Sequence, residues 1–413
     1  MPVAAVVFLT LVNLLNYFDR YIVQAVEPTI TQEFLLSNTQ AGYVVSAFVI
    51  GYCFFSPMFG FLGDRFDRRR VMALGLVAWS GATWLTSTAL TAAGFIGARI
   101  LVGVGEACYG AIVPVYLKGR IGDTVALNRA LSVFYVAIPV GSALGYVAGG
   151  QVAAEHGWRV LFSWAAVPGV ILALGFLFLR SEASLGAGES AAPAGGILTG
   201  FRRIVGSPLL SLLIAGYVLN TFALNGVAAF VVRHGVGLGL GEAESSTYFG
   251  LILVVTGLGG TLGGGFLASR YAARSDNSVR SLAKFVAYST LAAVPFLFWC
   301  FLARSSELFL TACFLAELFI FAGVAPLNSV IVARAPLGYE GFTQGVTIFS
   351  IQMFGGFLGP VIVGALTDAS GSLAIALQST SVALLLSGYL WVWAIQYVEE
   401  GVHVKKIDGR DES

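Results

Sequence analysis

Charge is what this sequence has least of. Only 11% of its 413 residues are Asp, Glu, Lys or Arg, against 57% apolar, where a soluble domain carries roughly 25% charge. That shortage argues against a chain whose whole surface meets water. The net charge of +1 supplies no basic field for nucleic acid. Four cysteines, Cys53, Cys108, Cys300 and Cys313, lie inside apolar runs without metal-ligand spacing, so they read as small core residues. His156, His234 and His403 fall at expected loop or tail positions and read as solvated. The glycine clusters follow no predicted strand, which argues against nucleotide binding. There is no nucleophile–base pair and no metal triad. The chain therefore reads as a non-enzyme with no cofactor and no metal site.

What is present is apolar sequence in long blocks. A helix needs about twenty apolar residues to cross the hydrocarbon core, and these blocks are apolar all round rather than striped. The sequence predicts twelve spans, at roughly 2–27, 39–61, 71–91, 93–116, 129–154, 158–179, 208–232, 244–268, 281–303, 308–333, 342–366 and 373–398. The first block has no basic flank and no small-residue cleavage site, so it reads as a span and not a signal peptide. The longest gap, 181–207, is rich in Gly, Ala and Ser and reads as a flexible linker. It separates an N-terminal bundle over 1–180 from a C-terminal bundle over 208–398, with a tail over 399–413.

Orientation follows from the basic residues. Of the 23 lysines and arginines, Arg20 and Arg99 lie within spans. Only Arg159, Arg233 and Arg304 fall on one side. The rest fall on the other, with both termini and the linker, so that side is expected to be cytoplasmic and the membrane the plasma or inner membrane. Two stretches repeat. Gly60-Phe61-Leu62-Gly63-Asp64-Arg65-Phe66 follows span 2, and Gly265-Phe266-Leu267-Ala268-Ser269-Arg270-Tyr271 follows span 8. The same offset separates spans 1 and 7. Two parallel six-helix repeats are the expected architecture of an all-α membrane protein.

Charge inside the spans is costly, at least about 2.5–3.5 kcal/mol per group on insertion scales. Asp19 and Arg20 lie in span 1, Arg99 and Glu106 in span 4, and Glu317 in span 10. Arg99 and Glu106 share a face, about 10 Å apart along the axis. Asp19 and Arg99 are expected at similar depth, with Glu106 a turn or two deeper. These groups point to a substrate and proton site; a static salt-bridge network is the plainer alternative. Asn13, Asn16, Tyr17, Asn220, Asn225, Asn328 and Gln352 are candidates to line the same cavity.

The run from Gly60 to Arg70 resembles the signature loop of major facilitators, with Asp67 where glycine is usual. The resemblance implies that Asp64, Arg65, Asp67 and Arg68 form a cytoplasmic latch. It implies a cavity lined by spans 1, 4, 7 and 10. Spans 5, 8 and 11 would pack the halves together. These carry close glycine spacings: Gly141, Gly145 and Gly149; Gly259 and Gly263; Gly260 and Gly264; Gly355 and Gly359. Further stretches are similar to the Spinster branch: Asn13-Leu-Leu-Asn-Tyr-Phe-Asp19-Arg20, Gly103-Val-Gly-Glu106-Ala-Cys-Tyr and Ala137-Ile-Pro-Val-Gly-Ser-Ala-Leu-Gly145-Tyr. In the C-terminal half Glu317 fits, but Gly323-Val324 replaces the expected Asn-Trp. This resemblance implies proton-linked transport of a lysophospholipid or sphingosine-1-phosphate, with functional weight on Asp19, Arg20 and Glu106. A proton-coupled carrier of a water-soluble organic anion or drug is the rival reading. The expected partners are lipid, protons and the bilayer, with the chain acting as a monomer.

Overall fold

The computed structural model describes residues 3–36, 38–179 and 196–407. Among these residues every regular element is a helix. Along the chain they are α1 (Val3–Glu33), α2 (Asn38–Arg65), α3 (Arg68–Ser87), α4 (Ala92–Arg120), α5 (Thr124–Tyr135), α6 (Ala137–His156), α7 (Trp158–Gly175), α8 (Ile197–Val205), α9 (Pro208–Gly237), α10 (Glu242–Gly259), α11 (Gly265–Ala272), α12 (Ser278–Cys300), α13 (Ser306–Ala322), α14 (Val324–Arg334), α15 (Glu340–Ser350), α16 (Leu358–Ser370) and α17 (Leu373–Ile407). Helices α5 and α6 form one rod, as do α13 and α14. Wide π turns at Gly260–Gly264 and Ile351–Phe357 join α10 to α11 and α15 to α16. The described residues thus form the twelve rods expected, plus α8.

Among the described residues, eleven helical stretches are long and apolar enough to cross a membrane. The third rod is not among them, because α3 opens on Arg68-Arg69-Arg70 and buries Ser80, Thr83, Thr86 and Ser87. Local chemistry sets many of the ends. Asp67 and Thr91 cap α3 and α4 by accepting from backbone N–H groups. Ser207 with Pro208, Asn277 and Ser305 do the same for α9, α12 and α13, satisfying donors that a helix start leaves open.

Three expectations need correction. Part of the linker is ordered: Ile197–Val205 is a helix, with Ile197, Leu198, Phe201 and Val205 exposed. Its apolar residues recur at helical spacing, a signal that the small, polar stretch before it obscured; 181–195 lies outside the described residues. The expected tail is helical to Ile407, because α17 continues through Val398 and past Gly401 with no proline to stop it. Third, His234 is not solvated. α9 runs past 232, and His234 is 9% exposed between the rings of Phe301 and Phe309, at 5.6 and 5.2 Å. The four cysteines are buried, as expected.

The chain forms two compact units. Unit 1 holds 1–121, 133–200 and 336–349; unit 2 holds 122–132, 201–335 and 350–413. Each unit includes a short segment from the other half of the sequence. The glycine ladders correct a further expectation, since they pack helices within a unit. A Cβ at Gly141 would meet Leu14 O at 2.6 Å, and one at Gly145 would meet Phe18 O at 2.8 Å, so α6 lies backbone-close on α1 in unit 1. In unit 2, Gly260 faces Leu318 O of α13, and Gly355 and Gly359 face Val218 O and Phe222 O of α9. Gly263, by contrast, faces open space. Small residues let helices approach closely in lipid, and here the close approach builds the bundles themselves. In unit 1, Gly51 and Gly103 bring α2 and α4 together the same way, with Ile100 O and Phe48 O where their Cβ atoms would be.

Candidate functional site

Helix geometry turns successive side chains by about 100°, so Asp19 and Arg20 on α1 serve different neighbours. Asp19 faces α3 and α4. Its Oδ2 accepts from Trp79 Nε1 at 2.9 Å, Thr83 Oγ1 at 2.9 Å and Arg99 Nη1 at 3.5 Å. Arg99 Nη2 also donates to the Asp19 carbonyl at 3.3 Å. Both members of this pair are 1% exposed. The shared depth expected for Asp19 and Arg99 is therefore seen as a direct ion pair.

Arg20 turns towards α2 and the deeper part of α4. Its Nε donates to Glu106 Oε2 at 2.7 Å. The guanidinium lies against three rings, Tyr17 at 4.8 Å, Phe48 at 4.5 Å and Tyr52 at 4.3 Å from their centroids. Cation–π contacts of this kind grow stronger away from water. Glu106 is fully buried, and the Arg20 side chain keeps 12% exposure. Glu106 Oε1 and Asp19 Oδ1 accept no hydrogen bond from the protein. Each carboxylate therefore has one oxygen held by the protein and one that is not.

Sequence reasoning named Tyr17 but missed Phe48, Tyr52, Trp79 and Thr83. The aromatic i, i+4 spacing of Phe48 and Tyr52 was a signal, but α2 carries many aromatics and the spacing alone does not pick out two. Asn13 donates to Phe134 O at 3.2 Å, which makes it a helix–helix contact. Asn16 is 2% exposed.

Unit 2 holds the remaining candidates. Glu317 on α13 is 4% exposed, and its Oε2 accepts no hydrogen bond. Asn328 Nδ2 donates to Val324 O at 2.9 Å and to Tyr217 Oη at 3.4 Å. Asn225 Nδ2 donates to Thr221 O at 3.0 Å, Asn220 is 5% exposed, and Gln352 sits in the π turn. No group of three His, Cys, Asp or Glu residues spaced to hold a metal occurs among the described residues.

The signature loop lies at one end of unit 1. Asp64, 5% exposed, caps the start of α15: Oδ1 accepts from Gly341 N at 2.8 Å and Oδ2 from Phe342 N at 2.9 Å. Arg68 Nη2 donates to Asp64 Oδ1 at 3.4 Å and Arg68 Nε to Gly63 O at 3.1 Å. Gly60 makes the approach possible, because its missing Cβ would meet the Gly341 carbonyl. Arg65 lies over the Phe61 ring at 4.3 Å. In the second copy Ser269 stands in for the acid. It accepts from Asn128 Nδ2 at 2.9 Å and donates to Gly265 O at 2.8 Å, an uncharged contact within unit 2.

Asp67 has a distinct task. It caps α3 through Arg69 N at 3.0 Å and pairs with Arg69 Nη2 at 2.7 Å. The Arg69 hydrogen bond holds its carboxyl below the usual carboxylate range, against a smaller opposing effect of burial. A lowered folded pKa adds stability that is present above the unfolded value, about 3.9 for Asp, and lost as pH falls through the folded value. Asp67→Ala is expected to destabilise the protein by about 1 kcal/mol at neutral pH, read as a lower melting temperature. The gap to the parent should close below about pH 4. A gap that stayed constant into acid would show that the charge contributes nothing.

The Major Facilitator Superfamily profile matches residues 9–360. The chain is 33% identical over 397 residues to Protein spinster homolog 1 of Bos taurus, covering 88% of this chain and 72% of that protein. It is 31% identical over 393 residues to its Homo sapiens counterpart, with the same coverage. The chain belongs to the Spinster family of the major facilitator superfamily. Among solved structures, the E. coli fucose:proton symporter superposes with a TM-score of 0.78 at 16% identity, over 95% of this chain and 98% of that one. A bacterial homologue of the human lysosomal transporter Spinster, in an inward-facing and unoccupied conformation, superposes with a TM-score of 0.58 at 19% identity, over 95% of both chains. These likenesses show the fold. This Spinster-family chain is an integral, multi-pass membrane transporter, and the twelve rods are its transmembrane helices.

Proposed function

We propose that this transporter moves an amphipathic lysolipid, a lysophospholipid or a sphingosine-1-phosphate-like molecule, by alternating access coupled to protons. The observation that carries the reading is the Arg20–Glu106 pair inside the ring formed by Tyr17, Phe48 and Tyr52. A guanidinium has five N–H donors, and a phosphate is among the anions it binds best. A lysolipid phosphate competes with Glu106 for Arg20. When Arg20 turns to the phosphate, Glu106 loses its counter-charge and takes a proton; when the phosphate leaves, the pair re-forms. The substrate shifts the conformational balance only through such a differential contact.

Asp19 and Arg99 act as positioning residues in this scheme, since both are buried and tied to Trp79 and Thr83. Glu317 is the second acid that we assign to proton transfer. Asp64, with Arg65, Asp67 and Arg68, forms a latch that holds and releases α15. The termini and the linker lie on the cytoplasmic side.

The test is uptake of labelled lysolipid by liposomes containing the purified protein, with and without a pH gradient. The gradient should raise uptake several-fold. Lysophosphatidic acid should compete, and short water-soluble organic anions should not. Competition by the short anions alone would overturn the lipid reading in favour of a soluble anion carrier. Equal uptake with and without the gradient would remove the proton from the mechanism.

A further inference from the structure

Unit 1 carries an open groove between α2, α3 and α4, with a volume of about 780 Å³. That is within the range of small-molecule sites, about 300–1,000 Å³. Its floor on α3 is cut by small residues, Gly75, Ala78, Gly81 and Ala82. Its apolar walls include Leu74, Leu85 and Leu101, which are 71%, 44% and 50% exposed. Val71 to Leu85 spans about 21 Å of helix, more than the roughly 15 Å depth of one leaflet's hydrocarbon. An entire acyl chain fits along it.

One end of the groove is polar. Arg70 and Asp67 close it. Asp67 is already engaged by Arg69 at 2.7 Å, whereas Arg70 Nε is 3.9 Å away and the Arg70 side chain is 84% exposed. Arg68 is turned inward on Asp64. The charge left facing outward at this mouth is therefore a cation. We propose that the groove is a binding site for a membrane phospholipid with an anionic headgroup, its acyl chain along Gly75, Ala78 and Ala82 and its headgroup at Arg70. The site is separate from the Arg20–Glu106 site and does not depend on what the protein transports.

A tail moving from bilayer to groove gains little from water exclusion, since lipid tails are as apolar as the wall. Selection among lipids must then come from shape and from the headgroup charge. Juxtamembrane arginines attract anionic lipids in this way. Asp67 belongs both to this mouth and to the signature loop, so an occupant sits against the latch.

Native mass spectrometry of the full-length protein, released from micelles containing equal phosphatidylglycerol and phosphatidylcholine, tests the site. The parent should retain phosphatidylglycerol preferentially. Arg70→Gln should reduce that preference about fivefold, the effect of one surface arginine, and leave phosphatidylcholine retention unchanged. Ala78→Phe, at an exposed position, fills the groove without entering the core and should lower retention of both lipids. Parent protein that retains the two lipids equally, or a preference that survives both substitutions in protein that melts like the parent, would overturn the assignment.

Discussion

Glu106→Gln is expected to abolish gradient-driven uptake while the protein still folds. The amide keeps the shape and can still accept from Arg20 Nε, so the ring of Tyr17, Phe48 and Tyr52 stays filled. What it cannot do is exchange a proton. Removing the other partner is predicted to be worse. Arg20→Ala leaves the fully buried Glu106 without its cation, and breaking a buried pair from one side costs about 3–5 kcal/mol. The double variant Arg20→Met with Glu106→Gln should recover much of that stability and none of the transport. Melting curves and liposome uptake, read side by side, separate the roles. Should Glu106→Gln respond to the gradient like the parent, the pair is a structural brace and the proton route lies elsewhere.

Asp64→Ala is expected to free the start of α15. Two backbone N–H groups, of Gly341 and Phe342, lose their acceptor, and Arg68 loses a charged partner. Each buried donor left unsatisfied costs about 1–3 kcal/mol. Hydrogen exchange at the amides of 340–345 should accelerate by one to several orders of magnitude, by the usual conversion of about 1.4 kcal/mol per tenfold. Asp64→Asn keeps one acceptor oxygen and should fall between the two. Unchanged exchange in Asp64→Ala would confine the loop to a topological role.

The spans were legible because burial in lipid and burial in protein both demand apolar sequence, and the blocks between Gly, Pro and charge are long. The ion pairs were half legible. Depth counted along two spans put Asp19 beside Arg99, but the partition into Asp19–Arg99 and Arg20–Glu106 depends on which way α1 is rotated. Spacing within one helix does not fix that; contacts with α2 and α3 do. Trp79 and Thr83 were not visible as partners, since a tryptophan and a threonine in an apolar span are ordinary core residues until a carboxylate is placed against them. The glycine ladders were visible as close-packing surfaces and misassigned as to what they pack against, because a missing Cβ advertises proximity without naming the neighbour. His234 was misplaced by an end set five residues too early.

The reach of Asp64 has a consequence for biosynthesis. Its ligands Gly341 and Phe342 lie 277 and 278 residues downstream. At about 5–20 residues per second a ribosome needs roughly 14–55 s to deliver them. Through that interval the N-terminal bundle exists in the membrane with its carboxylate and its Gly60 surface uncovered, and its assembly ends only when nearly the whole chain has been made. An N-terminal fragment expressed alone is therefore expected to turn over faster than the full chain, and co-expression of the C-terminal half to slow that turnover.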